Sequence, residues 1–174
     1  MSRARRAARR IAAVLGRRQN DGVVAIEFAV LATLFLVILA GAVDIGMLLY
    51  TASQLDAAVD AGAQYTENNA ALVSSNPTGL ATSISTIVDG ILGTGATTSV
   101  DVNNGTTSLY CPTGSPSNNW SWGSAQSSGT ACSGGGIAGQ FVKITTSRSV
   151  SPLFPTFGFV QNGTLSRSAV IETQ

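Results

Sequence analysis

A lone carboxylate in an apolar run is the first residue whose type and place invite chemistry. Glu27 stands five residues beyond Gly22 in Gly22-Val23-Val24-Ala25-Ile26-Glu27-Phe28, with basic residues upstream and a long apolar stretch downstream. A charged side chain inside a membrane helix costs about 2.5–3.5 kcal/mol near the centre on insertion scales, which makes it a functional candidate by default. If the backbone is cut after Gly22, Val23 gains a free α-amine, a cation at a membrane helix end. Glu27 of a neighbouring subunit supplies the matching anion when helices stack with an axial offset. The plainer reading is an acid at a helix start, favoured by the dipole by about 0.3–1 kcal/mol and lying at headgroup level. The residues alone leave both readings open.

The rest of the chain offers little reactive chemistry. There is no histidine, so the commonest general base and metal ligand is missing. No nucleophile elbow, zinc-protease, phosphate-loop or dinucleotide signature occurs. A hydrolase built on paired carboxylates would need the chance convergence of Asp89 and Asp101, the only acids between positions 68 and 171. The expectation is a protein without catalytic activity or cofactor. Cys111 and Cys132 are the only cysteines. Outside the cytoplasm such a pair reads as a disulfide. Two cysteines without histidine lack the ligands for zinc, so no metal site is expected.

The elements that must position these residues follow from charge and periodicity. Seven of the ten basic residues precede Asp21. Val23–Tyr50 is interrupted only by Glu27 and Asp44 among charged residues. Crossing a bilayer takes about 20 predominantly apolar residues, and the upstream arginines hold the N-terminus in the cytoplasm. The rest of the chain then lies beyond the membrane. From Leu48 the pattern becomes amphipathic: Leu48, Ala52, Leu55, Val59, Gly62 and Thr66 recur at helical spacing, with Asp56, Asp60, Gln64 and Glu67 off the stripe. The helix is expected to fade near Ser74, because Asn76-Pro77 disfavours it. A second helix is expected over Thr78–Leu92, with Leu80, Ile84, Ile87, Val88 and Ile91 as its apolar stripe and Gly93 as its stop. Beyond it, Asn104-Gly105 and Asn162-Gly163 each signal a hairpin, the first between Val100–Asn103 and Thr106–Tyr110, the second between Phe157–Gln161 and Thr164–Ile171. Both also match glycosylation sequons, which the turn reading makes unnecessary. Phe141–Ser149 reads as a strand, and Pro112–Gly139 as a loop of low regularity. A sheet of three or four antiparallel strands packed on the amphipathic helix is the economical architecture.

The opening segment resembles type IV prepilin processing sites, with the pattern G-x-x-x-x-E-F, and is most similar to the TadE-like family of the tight-adherence (Flp) pilus system. Ala25-Ile26-Glu27-Phe28-Ala29, Gly41-Ala42-Val43-Asp44-Ile45-Gly46, Leu48-Leu49-Tyr50 and Gln54-Leu55 carry the resemblance. Ala57-Ala58 and Gly62-Ala63 extend it. Gln64 stands where family members often have Arg. Phe141–Ile144, Leu153-Phe154-Pro155 and Leu165–Val170 are more loosely similar to the family's closing strands. The resemblance implies a pilin-like α+β fold: a long membrane-spanning helix continuing into an amphipathic helix, a second short helix and a small antiparallel sheet. It implies an Arg-rich cytoplasmic leader over 1–22, cut by a membrane-embedded prepilin peptidase between Gly22 and Val23, with Glu27 and Phe28 completing the processing motif. It implies a transmembrane helix over 23–50 in the bacterial cytoplasmic membrane and a periplasmic domain over 51–174. The function so implied is that of a minor pseudopilin, assembling with a major Flp-type pilin, other minor pseudopilins and the inner-membrane platform.

Remaining features have simpler uses. Asp44 either pairs with a cation on a partner helix during assembly or marks the outer membrane boundary, and the polar residues that follow favour the boundary. Trp120 and Trp122 lie between the cysteines; they form a contact surface or pack that loop on its own domain, and packing is the expectation. The arginine run is explained by membrane topology, so no nucleic-acid partner is expected. The competing functional readings are an anchored protein with a periplasmic binding or adhesin domain and no filament role, an anchored hydrolase, and a major filament subunit.

Overall fold

The computed structural model describes residues 3–115, 118–151 and 163–173, with side chains described over 22–115, 119–151 and 163–173. The chain divides into two compact units, Met1–Ile45 and Gly46–Gln174. Helix α1 (Arg3–Asn68) contributes to both. Within the first unit the described side chains of the apolar run stand out into the surroundings: Phe28, Leu31, Phe35 and Ile38 are all exposed. Among the described residues, α1 is the one helix long and apolar enough to cross a membrane, and none of its most apolar stretch is buried. Apolar side chains exposed on every face suit a lipid solvent rather than water. The chain thus carries one N-terminal apolar helix fit for a single-pass anchor.

The second unit is an α+β domain. Helix α1 gives it Leu55, Ala58 and Val59, all buried, while Asp56, Asp60, Gln64 and Glu67 face out as their spacing predicts. The helix stops at Asn68, earlier than the expected fade near Ser74. Asn68 and Asn69 turn their side-chain amides back onto the carbonyls of Gln64 and Tyr65 at 2.8 and 2.9 Å, which competes with further helical bonding. A one-turn helix α2 (Leu72–Ser75) follows. Asn76 then caps helix α3 (Pro77–Leu92) by accepting from the Gly79 N–H at 3.0 Å, with Pro77 in the first turn. The buried residues of α3 are Leu80, Ile84, Val88 and Leu92. Ile91, expected on that stripe, is exposed. Steps of four residues advance about 40° around a helix of 3.6 residues per turn, so the buried seam winds until Leu92 takes the last place.

Strand β1 (Ala96–Val102) pairs antiparallel with β6 (Phe141–Ser149), which pairs antiparallel with β7 (Thr164–Glu172), giving the order β1-β6-β7. Val142, Ile144 and Thr146 alternate inward along β6. Val142 and Ile144 meet Val102 of β1, Ile171 of β7 and the apolar faces of α1, α2 and α3 in one core. This is the helix-on-sheet layer that the sequence pattern requires.

Two expectations need correction. Asn104-Gly105 does turn the chain, but β1 does not form a hairpin with the segment that follows. Asn103, Asn104 and Gly105 all adopt positive φ, at 49°, 53° and 67°. Three such residues in a row, forming a short 3₁₀ turn (Asn103–Gly105), send the chain away from β1, whereas a two-residue turn would fold it back. The buried Asn103 side chain holds that exit by donating to the Thr106 and Ser108 carbonyls, each at 2.7 Å. The segment Pro112–Gly139 is also more regular than expected. Strands β2 (Leu109–Tyr110) and β5 (Ala125–Gln126) form one two-stranded sheet, and β3 (Thr113–Ser115) and β4 (Asn118–Ser121) another. Their few backbone bonds leave no periodicity long enough to read. The expected strand Phe157–Gln161, its turn residue Asn162 and the Leu153-Phe154-Pro155 stretch lie outside the described residues.

Candidate processing and assembly segment

Gly22 lies inside α1, with no break in the helix before or after it. A protease takes an extended backbone, so a cut here requires local unwinding. Glycine lowers that cost, since it is about 1 kcal/mol less favourable than alanine in a helix interior. Nothing lies within 4 Å of where a Cβ on Gly22 would sit. A larger residue at this position is therefore tolerated by the fold, and any effect on cleavage would come from the enzyme that cuts. Val23 and Phe28 are exposed, as is Glu27. Val23 and Glu27 stand four residues apart, on one face of the helix and about 6 Å apart along its axis. The carboxylate thus shares a face with the nitrogen that a cut after Gly22 would free. Asp44 is buried at 7% exposure, the only buried residue between Gly22 and Tyr50.

The second unit fixes the helix that follows. Gly62 permits the closest approach: a Cβ there would lie 2.9 Å from Ile144 Cδ1, 3.0 Å from Val88 Cγ2 and 3.2 Å from Ile84 Cγ2. Two arginines tie the sheet to α1 at another level. Arg148 Nη1 donates to Gln54 Oε1 at 3.3 Å, and Arg167 Nε meets Asp56 Oδ1 at 2.7 Å. Sequence reasoning placed Gly62 on the stripe but did not see it as a contact point, and it missed both arginine ties. Their signal is a pairing across more than ninety residues, which no local pattern carries.

Cys111 and Cys132 form a disulfide, with Cα atoms 5.5 Å apart. The loop it closes packs on the sheet face opposite the helices. Asp101 of β1 and Lys143 of β6 are register partners on that face. Trp122 Nε1 donates to Asp101 Oδ2 at 2.9 Å, and Lys143 Nζ lies 5.7 Å from the centroid of the Trp120 ring. The two indoles meet edge to face at 5.5 Å, and Tyr110 adds a second edge contact to Trp122 at 5.8 Å. A cross-strand pair of opposite charges thus seats both tryptophans on their own domain, as expected for this loop.

Residues 22–64 match the family described as TadE-like protein. The matched stretch runs from the glycine before the apolar run to the outward-facing Gln64 of the amphipathic helix, about a quarter of the chain, and over it the chain is similar to that family. No curated protein and no solved structure matches the chain.

Proposed function

We propose that the chain is a minor pseudopilin of a tight-adherence pilus or related secretion system, acting through assembly and without catalysis of its own. The observation that carries the reading is the TadE-like segment itself, which begins at Gly22 and sets Glu27 near the start of an exposed apolar helix. A prepilin peptidase removes residues 1–22. The 152 residues that remain (174 − 22) are anchored in the cytoplasmic membrane, with the α+β domain in the periplasm. The freed α-amine of one subunit pairs with Glu27 of another. In hydrocarbon that pairing is far stronger than in water, and it sets the axial offset of neighbouring helices. Flp-type pilin, other minor pseudopilins and the inner-membrane platform are the partners.

The test is pilus formation, with co-purification of partner pilins, in Glu27→Val and Glu27→Gln strains that make normal amounts of processed protein. Valine should leave insertion and cleavage intact and abolish assembly, while glutamine, which keeps hydrogen bonding but not charge, restores it in part. Assembly at the parental level by both variants would reduce Glu27 to a helix-end acid. It would favour an anchored binding or adhesin domain with no filament role.

A further inference from the structure

A cavity of about 250 Å³ opens where β6 begins and β7 ends. The Phe141–Glu172 pair, the last rung of the three-stranded sheet, forms part of its wall. Along β6 that rung lies about 23 Å from Arg148, which meets Gln54 of α1. The Cys111–Cys132 bridge and the turn that follows it form the rest of the wall. In that turn Ala131 pairs with Ile137, the Cys132 N–H donates to the Gly136 carbonyl at 3.1 Å, and the Gly135 N–H donates to the Cys132 carbonyl at 3.0 Å. Gly135 and Gly136 take the positive φ values, 92° and 78°, that so tight a reversal needs. A covalent bridge and backbone bonds therefore hold the cavity open in advance of any occupant.

Its lining is apolar with one charge. Pro112, Phe141 and Ile137 supply the apolar surface. Ile137 is 64% exposed, and outside the helices no other large apolar side chain among the described residues stands so open to solvent. The charge is the exposed carboxylate of Glu172, which has no hydrogen-bond or ion-pair partner among the described residues. Nor is a cation of the domain left over for it. From Gly46 onward the chain has six acidic residues and three basic ones. Arg148 is held by Gln54 and the Thr94 carbonyl, and Arg167 by Asp56. Lys143 is the nearest to Glu172 by strand register, but its ammonium lies over the Trp120 ring.

We propose that this cavity receives a lysine or arginine side chain of a partner protein, with the alkyl stem against Pro112, Ile137 and Phe141 and the charge on Glu172. Those two side chains join an apolar stem to a cationic head, which is the combination the lining complements. Size favours a side chain over a whole small molecule, because small-molecule sites occupy about 300–1,000 Å³ and this cavity is smaller. The exposed Ile137 favours a protein as the source, since the surface around the inserted side chain would cover it. The inference goes beyond the pilus reading and does not rest on it.

The experiment uses the full chain in nanodiscs, isotope-labelled at the isoleucine δ1 methyls and followed by NMR. The Ile137 signal is assigned through Ile137→Val. The probes are capped glycine peptides with a central lysine, arginine or norleucine, and free putrescine. The lysine and arginine peptides should shift Ile137 saturably and leave Ile91, exposed on α3, and Ile144, buried in the core, unmoved. Norleucine keeps the stem without the charge and should bind several-fold more weakly. Glu172→Gln should weaken the lysine peptide to the norleucine level. Equal binding of lysine and norleucine peptides overturns the proposal, as does an Ile137 signal that no peptide moves or one that moves only together with Ile91. Putrescine binding as tightly as the lysine peptide overturns the assignment to a partner protein and makes the ligand a free amine. If Glu172→Gln loses the core methyl pattern, the lysine–norleucine comparison on the parent chain decides. None of these results bears on whether the protein joins a pilus.

Discussion

Gly62→Ala tests whether close packing between helix and sheet, rather than helix propensity, governs the domain. Propensity alone favours alanine by about 1 kcal/mol in a helix interior. Packing opposes it. The new methyl would stand 2.9 Å from Ile144 Cδ1 and 3.0 Å from Val88 Cγ2, both closer than ordinary contact, and these neighbours are themselves fully buried. Overpacking of this kind costs about 1–3 kcal/mol, so the net effect is a loss of about 0–2 kcal/mol once propensity is subtracted. Gly90→Ala is the internal control. Gly90 is also helical, in α3, but nothing lies within 4 Å of its Cβ position, so alanine should stabilise by about 0.5–1 kcal/mol. Both tryptophans lie in the domain, so their emission reports its unfolding in detergent-solubilised full-length protein. With about 3–5 °C per kcal/mol for a domain of this size, Gly62→Ala should melt several degrees below Gly90→Ala. Gly62→Leu should fall further. If Gly62→Ala proves as stabilising as Gly90→Ala, the close approach of α1 to the sheet is wrong.

Other expectations are simpler to read. Replacing Cys111 and Cys132 together by serine should lower stability by about 3 kcal/mol, the chain-entropy value for a loop of this length, measured by the same unfolding signal. The intact mass should rise by two hydrogens on reduction. Gly22→Leu should leave the fold unchanged, as the open space around Gly22 allows, yet abolish cleavage; N-terminal sequencing of the membrane protein decides, and a normal Val23 terminus counts against the processing site. The Asp56–Arg167 pair is about half exposed on both sides, so a double-mutant cycle should give a coupling of only about 0.2–1 kcal/mol. Trp122→Phe keeps most of the ring packing but loses the bond to Asp101, and should cost about 1.5–3 kcal/mol, the range for hydrogen bonds to charged groups.

What could be read from the residues is whatever rests on neighbours along the chain. Leu55 and Val59 announce a buried helix face because they are four apart, and Val142, Ile144 and Thr146 announce a strand because they alternate. Asn76-Pro77 announces a break between helices for the same local reason, although its capping of α3 shows only in the structure. The β1 pairing was misread because its cause is not local. Asn104-Gly105 looks the same whether two or three residues take positive φ. What selects the three-residue form is the buried Asn103 amide, whose two carbonyl partners lie beyond the turn. The short strands before and between the cysteines escaped for a related reason. Each has two to four residues, too few for alternation to show.

The apolar helix was the most legible part of the chain because membranes act on sequence so directly. A lipid-facing helix needs apolar side chains all round, and any carboxylate within it must have a use or sit near an end. That constraint makes Glu27 conspicuous with no knowledge of the fold, whereas Asp101 became meaningful only when β6 brought Lys143 beside it. Asp44 shows where the argument from sequence thins. Its spacing fits a boundary acid, which would stand toward headgroups and water, yet its side chain is buried. A carboxylate withdrawn from both lipid and water is held by polar partners, so its contribution reaches further than marking where the bilayer ends. Asp44→Asn and Asp44→Leu separate the two uses. A boundary marker should tolerate asparagine fully and leucine nearly so, whereas a buried, partnered carboxylate should lose about 3 kcal/mol or more when leucine leaves its partners unsatisfied. The melting shift of the leucine variant against the asparagine variant measures that difference. Indistinguishable melting of both variants and the parent would return Asp44 to the role its spacing alone suggests.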